Sequence, residues 1–188
     1  MVRYMPTSAA ALCALWAAAP PASAADDISK QIISTPAPAA FSINGLQGAP
    51  DLKKDPKVQG GQFLRVSVPQ KGVNPWDISV SIPINQPIKA GDRLLMAFSA
   101  RLVSGENGAA TTTLPYNAVQ QAGPPYGPVF FFSADIGKDW AQYHGQGVAA
   151  QDYKAGEVNA TIQLATAKQV VDLGPVFVLD LGPATPGK

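Results

Sequence analysis

"NPWDISVSIPINQPIKAGDRLLMAFSARL", residues Asn74 to Leu102, reads as two β-strands joined by a turn rich in Pro and Gly. Parity is clean on the first: Trp76, Ile78, Val80 and Ile82 point one way, and Asp77, Ser79 and Ser81 the other. On the second, Leu94, Met96, Phe98, Ala100 and Leu102 share one face, and Arg93, Ser99 and Arg101 the opposite one. A period of two with one apolar face is the pattern of a half-buried strand. The polar faces then need a purpose. They are either the solvated outside of a sheet or the floor of a groove.

Working outward, the same pattern recurs. Val158, Ala160, Ile162 and Leu164 lie on one side of a strand, with Glu157, Asn159, Thr161 and Gln163 on the other. The closing "VFVLDLG" carries large apolar residues at both parities, as a strand covered on both faces would. Candidate strands cover residues 40–44, 62–68, 76–82, 93–103, 110–116, 129–134, 140–145, 157–165, 169–173 and 176–181. Gly and Pro divide them, and no window offers a helical apolar stripe. This predicts an all-β, two-sheet antiparallel sandwich over residues 41–182, with inward faces packed together.

The first 24 residues read as a secretory signal peptide. Arg3 supplies the positive start, "AAALCALWAAA" the apolar run, and Ala22-Ser23-Ala24 the cleavage site, which predicts export to the periplasm or beyond. The run is too short to span a bilayer, and no later segment has that length. Residues 25–40 follow as a flexible arm rich in Pro and Ala, and residues 183–188 as a flexible tail. Cleavage after Ala24 removes Cys13, the single cysteine, and with it thiol chemistry, disulfides and zinc–thiolate sites.

Charge is sparse and balanced, with 14 basic and 13 acidic residues. No basic run would neutralise phosphates, so nucleic acid is excluded as a partner and neutral ligands fit better. Catalytic constellations are thin. His144 is the single histidine, there is no Gly-x-Ser-x-Gly elbow, and paired carboxylates cannot be nominated. No catalytic residue and no metal ligand is assigned. A structural calcium is compatible with the fold class, but no Asp-rich calcium loop is present.

The order "VQGGQFLRVSV", then the opening stretch, then "DWAQYHGQGVAAQDYKAGEVNATIQLATAKQVVDLGPVFVLDLG" resembles the carbohydrate-binding modules of the 4/9 group. The matching features are the Gly-Gly before a long strand, Pro-Trp-Asp, Lys-Ala-Gly-Asp, Phe-x-x-Arg and Trp-x-x-Tyr. The resemblance implies a galactose-binding-like jelly roll. It also implies a non-catalytic role in binding a poly- or oligosaccharide, beside a glycoside hydrolase; an envelope protein is the other expected partner.

A sugar site wants flat aromatic rings surrounded by amides, carboxylates and guanidinium groups. The candidates are Asp77, Arg101, Tyr116, Tyr126, Tyr143 and Gln163. Asp77 reads equally well as a locally hydrogen-bonded residue after Pro75, and Arg101 as the partner of a neighbouring acid such as Asp77. Trp76 and Trp140 are expected in the core. The alternative function is a structural or assembly protein of the envelope, whose arm would add to another subunit's sheet edge.

Overall fold

The computed structural model describes residues 28–183. The expected signal peptide, its cleavage site and residues 184–188 lie outside them. Among the described residues ten strands form: β1 (Ser42–Asn44), β2 (Asp51–Lys54), β3 (Gln62–Val68), β4 (Ser79–Pro83), β5 (Asp92–Ser104), β6 (Thr112–Gln121), β7 (Pro128–Ile136), β8 (Ala141–Val148), β9 (Val158–Gln163) and β10 (Gln169–Pro183). They build two five-stranded sheets, ordered β1-β4-β9-β6-β7 and β2-β3-β10-β5-β8, with every pairing antiparallel. The sandwich read from sequence is the fold observed.

The core is the set of inward parities. Val80 and Ile82 of β4 meet Leu94, Met96, Phe98, Ala100 and Leu102 of β5, together with Ala160 and Ile162 of β9 and Val176 and Val178 of β10. Strand bounds shift by a few residues in several places, and two differences from expectation are larger. The last two candidates are one long strand, because β10 pairs with β5 along its length and absorbs the Gly174-Pro175 interruption as a register shift. β2 escapes the pattern because Asp51, Lys53 and Lys54 give it no apolar face. It is an edge strand, and charge there discourages pairing with other chains.

The opening stretch turns out to cross the sandwich. β4 belongs to the first sheet and β5 to the second, so their polar faces look in opposite directions. Ile84 and Ile88 are buried in the connection, which anchors the crossing from within the core.

The Pro/Ala-rich stretch expected to be a flexible arm is tied down from Ile32 onward. Ile32 bridges Leu179, and the Ile33 N–H donates to the Val178 carbonyl at 2.9 Å. Ser34 bridges Ile84, and the Thr35 N–H donates to the Pro83 carbonyl at 3.0 Å. This segment therefore links one sheet to the other. The cause is backbone satisfaction: β3 pairs with β10 only as far as Leu173, and the later residues need partners.

On the far edge, Gly145 and Gly147 of β8 face Phe132 and Phe130 of β7. A methyl at either glycine would overlap those side chains. The bare backbone lets two aromatic side chains close the sandwich on that side.

Candidate functional site

The outer face of the first sheet is hollowed into a cleft of about 760 Å³. Register explains its floor. Ser42 lies opposite Ser81, Ser81 opposite Thr161, and Thr161 opposite Ala118, so three hydroxyl residues align across β1, β4 and β9. A second rung runs from Asn44 through Ser79 to Gln163, and a third from Asn159 to Gln120. Cross-strand partners share a face, so the polar parities of these strands fall together. The Asn44 side-chain amide donates to the Ser81 hydroxyl at 3.3 Å and the Ser79 hydroxyl at 3.5 Å, which orders that end of the floor.

Aromatic residues stand around this floor. Trp76, 58% exposed, lies just before β4 on a short 3-10 turn, Pro75–Asp77. Tyr116 stands on β6, and Tyr126 on the β6–β7 loop. Tyr126 has φ +59°, in the left-handed region that a bulky side chain adopts rarely. The loop holds it there: the Tyr126 N–H donates to the Gly123 carbonyl at 2.8 Å, and the Gly127 N–H to the Gln121 side chain at 3.2 Å. Burial pushes the Tyr116 phenol pKa up, consistent with a half-covered ring.

No residue lining the cleft carries a formal charge at neutral pH. Flat rings around a floor of hydroxyls and amides can cover apolar C–H surfaces and exchange hydrogen bonds with a hydroxylated, uncharged ligand.

Of the residues nominated from sequence, the cleft gathers Tyr116, Tyr126 and Gln163. The other three lie elsewhere. The Asp77 carboxylate turns back on its own backbone, accepting the Asn74 N–H at 2.9 Å, and so closes the turn that presents Trp76. Tyr143 points inward, its ring 5.6 Å from Phe98 and its hydroxyl accepting the Gly137 N–H at 3.4 Å. Arg101 sits on the outside of the second sheet, on the opposite side of the sandwich from the cleft.

There Arg101 belongs to a compact ionic knot. Asp172 is fully buried and opposite both Arg65 and Arg101 in register. It accepts Arg65 at 2.7 and 2.9 Å and Arg101 at 2.9 Å. Arg101 also reaches Asp55 at 3.2 Å and lies 4.8 Å above the Trp140 ring. The Trp140 indole N–H donates to Asp55 at 2.9 Å, and its ring meets Phe63 edge-on. Trp140 is therefore half-buried over the outer face of a sheet, not in the inter-sheet core. The partner acids of Arg101 are Asp172 and Asp55, not Asp77.

Trp76 is the aromatic that parity misplaced. Counting back from Ile78 assumes a strand, but Pro75 and the Asn74–Asp77 capping bonds make residues 75–77 a turn, and the ring swings to the outer face. The floor residues had a visible signal: Ser79, Ser81, Asn159 and Thr161 all lie on the polar parities. Among the described residues, no group of three or more His, Cys, Asp or Glu side chains is placed to hold a metal ion, and no helix is long and apolar enough to cross a membrane.

Solved structures with the same architecture include carbohydrate-binding modules. The N-terminal cellulose-binding domain of Cellulomonas fimi β-1,4-glucanase C superposes with a TM-score of 0.57 at 20% identity, covering 81% of this chain and 97% of that one. The chain has the fold of these modules. A CBM4 module gives a TM-score of 0.55 at 18% identity, over 76% of this chain and 96% of the other. The CBM22-1 xylan-binding domain of Paenibacillus barcinonensis Xyn10C gives 0.52 at 14% identity, over 82% and 94%. No family model matches the sequence, and no curated protein matches it.

Proposed function

We propose that this chain is an exported, non-catalytic module that binds a neutral polysaccharide along the cleft of its first sheet. The observation that carries the reading is the cleft's composition: a floor of hydroxyl and amide groups bordered by Trp76, Tyr116 and Tyr126, with no charged lining residue. The fold shared with cellulose- and xylan-binding domains supports it, and the signal-peptide pattern of residues 1–24 supports export. The roles follow from chemistry. The rings stack on pyranose C–H faces, while Gln163, Asn44, Gln120 and the hydroxyls of Ser81 and Thr161 read the rim. The rival assembly role draws no support from the arm, because Ile32 to Thr35 spend their strand bonds within the chain.

Calorimetry with cellohexaose, xylohexaose and soluble mixed-linkage glucan tests the proposal. Binding of at least one is expected, with Trp76→Ala weakening it about tenfold or more, the scale of a lost stacking platform. No heat with any of the three at millimolar concentration would remove the reading.

A further inference from the structure

The chain places a second aromatic behind Tyr116. Phe131 of β7 lies directly opposite Ala118 of β6, and Ala118 opposite Thr161, so Phe131 emerges on the cleft side of the sheet at its outer edge. It is 58% exposed. Its ring stacks on Tyr116 with centroids 5.1 Å apart and planes 19° from parallel. Phe131 itself does not line the cleft; Tyr116 does.

The backbone beneath the pair is shaped for the same end. Between Leu114 and Asn117 the β6–β7 register shifts, with Pro115 and Tyr116 facing the single residue Ser133. Such a bulge re-aims a side chain and frees carbonyls from the ladder. Asn117, fully buried, meets that need: its side-chain amide donates to the Leu114 carbonyl at 2.9 Å and the Phe132 carbonyl at 3.1 Å.

We propose that Phe131 is a positioning residue, which braces the Tyr116 ring from behind and fixes it as a rigid wall of the cleft. A ring held in place before the ligand arrives loses less rotational freedom on binding. An edge-strand phenylalanine left half in water gains a purpose that core packing does not give it. The proposal rests on the reading of the cleft as a glycan site, but the brace has a readout of its own. The Tyr116 phenol is held above its ordinary pKa by burial, and Phe131 supplies cover on one ring face.

The test uses Phe131→Ala, Phe131→Tyr, Tyr116→Ala and the Tyr116→Ala/Phe131→Ala double variant. Ultraviolet titration, with Tyr116→Ala as the reference, reads the phenol without any ligand. It is expected to fall toward its ordinary value in Phe131→Ala and to stay raised in Phe131→Tyr, where Tyr116→Ala/Phe131→Tyr is the reference that subtracts the added phenol. Calorimetry with cellohexaose and xylohexaose is expected to show Phe131→Ala binding about two- to tenfold more weakly, and Phe131→Tyr unchanged. In the Tyr116→Ala background, Phe131→Ala should add nothing. An unmoved phenol, or an equal loss of affinity with and without Tyr116, would overturn the brace. A phenol that falls in a protein binding neither hexasaccharide would uphold the brace and count against the glycan reading.

Discussion

Arg101 shows how a side chain suited to one task is used for another. Its guanidinium has the donors a sugar rim wants, yet those donors are aimed at Asp172 and Asp55. Removing it leaves a fully buried carboxylate with Arg65 alone. Arg101→Ala is expected to lower unfolding free energy by about 2–4 kcal/mol in urea titrations, while leaving glycan affinity unchanged, because the knot and the cleft are on opposite sheets. Arg101→Lys should not restore it, since an ammonium cannot reproduce the forked geometry. Two acids give opposite pH signatures. Asp55 is held below the usual carboxylate range by the Trp140 indole N–H first, then the Lys57 N–H and Arg101. Its contribution is present above the unfolded pKa of about 3.9 and lost as pH falls through the depressed folded value. The stability gap between the protein and Asp55→Asn should therefore narrow below about pH 4. Asp180 is pushed up, by burial first and then by neighbouring Asp92. Its charged form is disfavoured in the fold, so Asp180→Asn should melt higher at neutral pH, and the gain should shrink as pH falls through the raised value and be gone below the unfolded value of about 3.9.

Among the elements, the segment from Ile32 to Thr35 has the largest consequence for its size. Ile33 buries its side chain in the core while its backbone serves both sheets, its N–H bonding Val178 and its carbonyl accepting the Asn85 N–H at 3.0 Å. Ile33→Ala is expected to cost about 2–5 kcal/mol by thermal or urea unfolding, the range for a buried isoleucine. A merely flexible arm would tolerate the change. Light scattering should report the same oligomeric state for the variant and the parent. A different state in the variant would point back to an intermolecular role for the segment. The 3-10 turn before β4 is a smaller case of the same logic. Asp77 closes that turn, so on the proposed reading of the cleft its value to binding would pass through the attitude of Trp76.

For the whole molecule, the division of labour is between sheets. The first carries a neutral cleft, and the second carries the ion pairs between Asp172, Asp55 and their arginines. Association at the cleft should therefore vary little between about 0.05 and 0.5 M salt, since screening acts on charge pairs and the cleft offers none. Calorimetry at both salt concentrations checks this, and a steep loss of affinity would mean that charges beyond the lining take part. Phe98, fully buried between the sheets, is shared by both halves. Phe98→Ala should cost about 3–5 kcal/mol in unfolding experiments.

The sandwich was legible in the sequence because strand periodicity is local: alternating residues decide burial wherever the backbone is extended, as in β4, β5 and β9. The cleft's lack of charge was legible in the scarcity of charge along the chain, and residue type and setting singled out Tyr116, Tyr126 and Gln163, which line it. What only tertiary structure decided was which polar face meets which. β4 and β5 are neighbours in sequence but partners of different sheets, so Ser81 joins a cleft while Arg101 joins an ionic knot. Periodicity cannot assign strands to sheets, because that depends on pairings between residues far apart in the chain. It also fails where the backbone leaves the strand, at the turn that swings Trp76 outward onto the rim of the cleft.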